Sequence, residues 1–127
     1  MNPSEGNTLS KAERLKSKTD ISNLLTHGKW GVRSCLKYCV LNHDSSGMNR
    51  IMVSVPKKFF KRAVKRNLLK RRIRESYRTQ KSLLLAEGAD ILFYYNTKDI
   101  HSYNEIREAV ASVLAEINDR LCAQDKL

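Results

Sequence analysis

KKFFKRAVKRNLLKRRIRESYRTQK, residues 57–81, decides how the rest of this 127-residue chain is read. It holds twelve basic residues and one acid, Glu75, a net charge of +11. The whole chain also carries a formal +11, so everything outside this fifth of the sequence balances to zero. No glycine or proline interrupts the run, and its Lys, Arg and Leu content favours helix. Leu69, Ile73 and Tyr77 recur at i, i+4 and i+8, continued by Leu84. That spacing predicts a core-facing seam on a helix over about 60–85, with Gly88 as its stop. Val64 and Leu68 fall on another side, and no Ser, Thr, Asp or Asn caps the start.

The charge pattern within the run calls for a polyanionic partner. Like charges stand at i, i+4 in Lys57/Lys61, Lys61/Lys65, Arg62/Arg66, Lys70/Arg74 and Arg74/Arg78, and each pair costs a few tenths of a kcal/mol, roughly, in an isolated helix. Solvated faces normally mix signs. A face of one sign offsets its self-repulsion by binding phosphates and releasing their counterions. Arginine dominates the second half of the run, at 66, 71, 72, 74 and 78, which suits bidentate phosphate recognition. Asn67 offers a mid-helix amide to a base, a ribose or a neighbouring side chain.

Outside the run the sequence reads as a scaffold for it. Residues 1–9 are a disordered tail, residues 10–121 a single domain and residues 122–127 a second tail. Ser17 followed by Asp20, with Ile21, Leu24 and Leu25 behind them and Gly28 as a stop, predicts a first helix over 18–27. LKYCVL (36–41) alternates as a strand, with Leu36, Tyr38 and Val40 on one face and Lys37, Cys39 and Leu41 on the other. RIMVSV (50–55) is the next strand and Pro56 ends it. The turn-rich loop 42–49 between them suits an antiparallel hairpin. Residues 28–33 add a short strand. DILFYY (90–95) is apolar almost throughout, as a central strand covered on both faces would be. Ser102 and Glu105 form a capping box for a last helix to about residue 120, its face held by Ile106, Ala109, Val110, Val113, Leu114, Ile117 and Leu121. The fold class is α+β, a single domain in the order α-β-β-β-α-β-α with a small mixed sheet.

Several function classes are excluded or left without support. No run of 18 apolar residues exists, and residues 1–20 lack the apolar core of a secretory signal, so the expected compartment is the cytoplasm. Cys35, Cys39 and Cys122 give an odd count and no closed disulfide framework. On a strand, Cys35 and Cys39 stand about 13 Å apart, so ordinary buried thiols are expected rather than a metal site with His43. None of His27, His43 and His101 sits in a nucleophile elbow, an HExxH helix or a CxxC pair. His101 reads as the residue leading into the last helix. The five glycines are scattered, so there is no phosphate loop, and acids are sparse where a metal-dependent nuclease would cluster them.

The run AVKRNLLKRRIRESYR (63–78) resembles the signature segment of the bacterial ribonuclease P protein component. The matching positions are Arg66-Asn67, Lys70-Arg71 and Ile73-Arg74-Glu75. The upstream SVPKK (54–58), RLKSKTDISNLLTHGK (14–29) and DILFYYN (90–96) fit the same family, and the likeness covers roughly residues 9–120. What the resemblance implies is a basic protein cofactor of a ribozyme, with the basic helix in a left-handed β-α-β crossover. The endoribonuclease would be the RNA–protein holoenzyme, with catalysis in the RNA subunit and the protein alone inactive. Its partners would be ribonuclease P RNA and precursor tRNA, whose 5′ leader is removed, with Mg²⁺ held through the RNA subunit and no cofactor bound by the protein.

The implied RNA-binding residues are Lys57, Lys58, Lys61, Arg62, Lys65, Arg66, Asn67, Lys70, Arg71 and Arg74. Leader contacts fall on Arg14, Lys16, Ile21, Leu25, Lys37 and Cys39. Relatives often carry aromatics on the first helix facing the leader, where this chain has Ile21 and Leu25. Stacking would then fall to other residues, and Tyr38, Phe93, Tyr94 and Tyr95 are either such residues or core. Two other classes share the basic run: a non-enzymatic RNA-binding protein, ribosomal or chaperone, without effect on precursor tRNA, and a peripheral membrane module, disfavoured by the lack of a broad apolar helix face.

Overall fold

Residues 13–42, 48–85 and 87–125 are described in this computed structural model, with side chains through residue 120. The proposed tail 1–9, His43 and the side chains of Leu121 and Cys122 lie outside them. The elements are α1 (Lys18–His27), β1 (Lys29–Arg33), β2 (Leu36–Asn42), β3 (Arg50–Ser54), α2 (Ala63–Gln80), β4 (Ala89–Tyr95) and α3 (Tyr103–Asp125). This is the expected α+β order. Ser17 caps α1, its hydroxyl accepting from the Asp20 amide, and the Ser102–Glu105 box closes reciprocally at the start of α3. The Asp20 carboxylate does not return to Ser17. It reaches Arg50 at 3.0 Å, and Arg50 also grips Asp90 through two bonds of 2.8 and 2.9 Å. One guanidinium thus ties the first turn of α1 to β3 and β4.

The four strands lie in the order β1-β2-β4-β3, which corrects the expected hairpin between 36–41 and 50–55. β2 pairs antiparallel with β1 on one side and with β4 on the other, while β3 runs parallel to β4. The tight hairpin comes one element earlier. Arg33 pairs with Leu36 across a two-residue turn, where Ser34 takes φ of 55°, as the primed hairpin turns require at their first central position. β4, apolar but for Asp90, then fills the centre with a neighbour on each edge. β3, α2 and β4 form a β-α-β crossover around the basic helix.

One sheet face buries Leu36, Tyr38, Val40, Ile51, Ile91, Phe93 and Tyr95 against α2 and α3. Leu69, Ile73 and Tyr77 supply the α2 seam as expected, and Ser76 and Gln80 are buried beside it. The Gln80 amide is satisfied by carbonyls of Ser76 and Arg107, the second of them on α3. Gly31 has a specific use here: a Cβ on it would lie 2.5 Å from the Tyr38 ring, so only glycine lets that ring rest on β1. The other sheet face carries a smaller cluster, Leu15, Leu24, Cys39 and Leu92, under α1.

α2 is shorter than its composition predicts. It starts at Ala63 rather than near 60, because Phe59 and Phe60 turn back to the Pro56 carbonyl and Phe60 is buried against Tyr95. It ends at Gln80, followed by a 3-10 turn over Lys81–Leu83. Gly88 does not stop the helix; its φ of 74° serves the bend that leads into β4.

Candidate nucleic-acid interface

The seam of α2 faces the core, so its remaining circumference decides what the basic run meets. Lys57, Lys58, Lys61, Arg62, Lys65, Asn67, Arg71 and Arg74 are exposed, and Arg66 and Lys70 are half-buried. No side chain caps the start of α2 and no acid lies in its first turn, so the positive end of the helix dipole adds to the same field. Glu75, the one acid, is taken by Arg78, whose guanidinium holds its carboxyl below the usual carboxylate range. Val64 is 79% exposed amid these cations.

The arginines of the run divide by what they touch. Arg66 donates from Nη1 to the carbonyl oxygens of Phe60 and Lys61, each at 2.8 Å. It therefore clamps the turn that feeds α2, with the rest of its guanidinium left over. Arg72 donates to the His101 carbonyl and fixes α2 to the segment before α3. The side chains of Lys61, Arg62, Lys65, Arg71 and Arg74 make no ion pair or hydrogen bond among the described residues. Charge alone does not separate these groups; the carbonyls that capture Arg66 are presented by the turn after Pro56.

The candidate leader residues are only partly brought together. The Leu15 amide donates to the Ile51 carbonyl at 2.8 Å, so residues 14–15 lie along the outer edge of β3. A cleft of about 200 Å³ opens there, lined by Arg14, Leu15, Lys16, Ile51, Met52, Val53 and Arg74. It joins two of the leader candidates to the α2 face. Leu25 is exposed on α1, Ile21 packs half-buried on the smaller cluster, and Lys37 is half-buried on β2. Cys39 must be withdrawn as a contact. It is fully buried, its thiol donates to the Leu24 carbonyl at 3.2 Å, and burial pushes its pKa up to about 11.

Of the aromatic stacking candidates, Tyr38, Phe93 and Tyr95 are buried core and Tyr94 is half-buried. The Tyr38 hydroxyl donates to Glu116 of α3, and burial raises its pKa with that bond. Trp30 was not among the candidates. It is exposed on β1 with the Lys37 Nζ 5.0 Å from its ring centroid. The short KWGVR strand was legible in the sequence, and its alternation was the available signal. His101 leads into α3, bonding through its Nδ1 to Glu105 at 3.1 Å. Among the described residues no three His, Cys, Asp or Glu side chains converge as metal ligands, and no helix is long and apolar enough to cross a membrane.

Comparison with known proteins gives one family. The family model for ribonuclease P matches residues 9–118. The ribonuclease P protein component of Porphyromonas gingivalis is 35% identical over 117 residues, covering 86% of this chain and 85% of its own. Among solved structures, the RNase P protein of Staphylococcus aureus superposes with a TM-score of 0.73 at 29% identity, over 84% of this chain and 96% of that one. The Thermotoga maritima RNase P protein superposes with a TM-score of 0.71 at 25% identity, over 82% and 96%.

Proposed function

The chain belongs to the ribonuclease P protein family, and from that premise we propose that it is the protein subunit of ribonuclease P. In this reading it binds ribonuclease P RNA and precursor tRNA and assists endonucleolytic removal of the 5′ leader. The observation that carries it is the basic run of residues 57–81, which leads into α2 and lines its exposed face: it holds a charge equal to the chain's whole net +11, and its one acid is already paired. Such a face recognises a phosphate backbone in register and orientation without demanding a base sequence.

The division of labour follows from what the side chains offer. Lys57, Lys58, Lys61, Arg62, Lys65, Arg71 and Arg74 contact phosphates of the catalytic RNA, with Lys70 at the flank and Asn67 supplying a neutral hydrogen bond. Arg66 positions the turn and adds a phosphate contact with the remainder of its guanidinium. Arg14 and Lys16, at the cleft that ends on Arg74, sit where a substrate strand meets the same surface, and Lys37 and Leu25 extend it across the other sheet face. Hydrolysis belongs to the RNA, with Mg²⁺ held there; the protein supplies counter-charge that lets the complex assemble at lower cation concentration.

Single-turnover cleavage of a precursor tRNA by ribonuclease P RNA at low Mg²⁺, with and without the protein, tests this. Cleavage is expected to rise with protein added and to be absent with protein alone. Salt-sensitive RNA binding with no stimulation of cleavage would instead support a ribosomal or chaperone role.

A further inference from the structure

Two anchors hold the segment that leads into α1, and a cation lies between them. Leu15 is buried in the cluster under α1, and its amide donates to the Ile51 carbonyl on the outer edge of β3. Two residues earlier, Glu13 places both carboxylate oxygens 3.1 Å from the Lys81 Nζ, in the turn that follows α2. That pair is largely buried, with side chains 16% and 21% exposed. Burial, and after it the Glu13 charge, pushes the neighbouring Tyr77 hydroxyl up to about 12. Arg14 is therefore pinned on one side to α2 and on the other to β3. Lys16 lies between the Leu15 anchor and the Ser17 cap of α1. Together with Arg74 of α2 they line the cleft at the β3 edge, whose lining includes no acid. All three are exposed, and none makes a side-chain ion pair or hydrogen bond among the described residues.

Counted as charge alone, Glu13 opposes RNA binding. It cancels Lys81, the last cation of the basic run, as Glu75 cancels Arg78. What it supplies is placement. A long side chain on a loose backbone must be ordered when it binds, and a backbone already fixed by folding reduces that cost. We propose that Arg14, Lys16 and Arg74 cradle one backbone phosphate of RNA, and that Glu13, through Lys81, is the positioning residue that holds Arg14 in the cradle. The inference rests on the functional reading above. It adds a phosphate contact shared between α2 and the segment before α1, and it gives a role to an acid set against a basic surface. Two guanidinium groups and an ammonium suit a single phosphodiester, which arginine binds through paired hydrogen bonds.

Glu13→Gln separates placement from charge, because it raises the net charge by one while removing the clasp. Charge alone predicts tighter RNA binding, whereas the clasp predicts binding weakened on the order of five-fold. Two arms locate the phosphate: the affinity of the protein for ribonuclease P RNA, and the affinity of the assembled holoenzyme for precursor and for mature tRNA. A loss in the first arm assigns it to the catalytic RNA. A loss confined to the precursor assigns it to the 5′ leader, and an equal loss on both tRNAs to the tRNA body. In the affected arm, Arg14→Ala should reduce the magnitude of the log–log salt slope by about one in the wild-type background and have no effect in the Glu13→Gln background. Lys16→Ala should keep its effect in both. Binding by Glu13→Gln that equals or exceeds the wild type in both arms would overturn the proposal, as would an Arg14→Ala effect of the same size in the two backgrounds. So would a joint loss of the Arg14→Ala and Lys16→Ala effects, which is what a general loosening of the fold produces. If wild-type protein stimulates cleavage and one of these results is obtained, only this inference fails; if wild-type protein gives no stimulation, the parent reading fails with it.

Discussion

Arg66 and Arg71 lie on one helix and carry one charge each, yet their surroundings predict different losses. Arg66→Ala removes two charge-assisted bonds to the Phe60 and Lys61 carbonyls, worth about 1–3 kcal/mol together after solvent screening. It should lower Tm by several degrees, roughly 4–8 °C per kcal/mol in a small domain, and weaken RNA binding as well. Arg71→Ala should leave Tm unchanged and reduce the log–log salt slope of RNA binding by about one. Thermal melts paired with salt titrations separate the two; equal melting temperatures would remove the clamp, and an unchanged slope would remove Arg71 from the phosphate contacts. Titration adds a pH signature. The Tyr38 hydroxyl, and after it Arg33, holds the Glu116 carboxyl below its ordinary 4.5, so its contribution to stability is present above that value and is lost as pH falls toward the folded pKa. Cys39 runs the other way: its stabilisation is complete below 9.0 and disappears as pH rises toward about 11. Urea midpoints should decline on both sides of neutrality, and Tyr38→Phe should shift the acid limb; an acid limb unmoved by that change would exclude the Glu116 contact. The basic residues were legible as a set in the sequence. Which arginine serves the fold was not, because its partners are backbone carbonyls that only the turn after Pro56 brings into reach.

Among elements, α2 carries the clearest division between seam and surface. Leu69 is fully buried and Val64 is 79% exposed, so Leu69→Ala should cost about 2–5 kcal/mol and Val64→Ala should stay within about 0.5 kcal/mol. Urea unfolding measures both, and comparable losses at the two positions would contradict the packing described. The i, i+4, i+8 spacing made that seam readable, as the capping pairs made the starts of α1 and α3 readable. Strand pairing was not readable in the same way. The link between β2 and β3 has a length that fits a hairpin, and nothing within residues 36–55 says that β4 will enter between them. The near-continuous apolar run of β4 did indicate a central strand, but the identity of its neighbours depends on contacts far apart in sequence. Cys39 failed as a surface residue for the same reason: its strand face was assigned correctly, and the helix that covers it comes from elsewhere.

At the scale of the molecule, the chain separates a neutral scaffold from a charged surface. The sheet, α1 and α3 fix where α2 lies, Arg50 and Arg72 fasten the elements around it, and the cleft at the β3 edge connects the α2 face to Arg14 and Lys16. Charge concentration was fully visible in the sequence, because it needs only counting. The cleft and the Trp30 surface were not, since each joins residues distant along the chain. The most direct test of the α2 face as the docking surface for the catalytic RNA is the affinity for ribonuclease P RNA as a function of salt, measured for wild type and for Arg62→Ala/Lys65→Ala/Arg71→Ala. These side chains have no internal hydrogen bonds or ion pairs among the described residues, so the variant should melt like the wild type. The slope of log K against log salt should be reduced in magnitude by about two to three; a slope equal to that of the wild type would contradict the account.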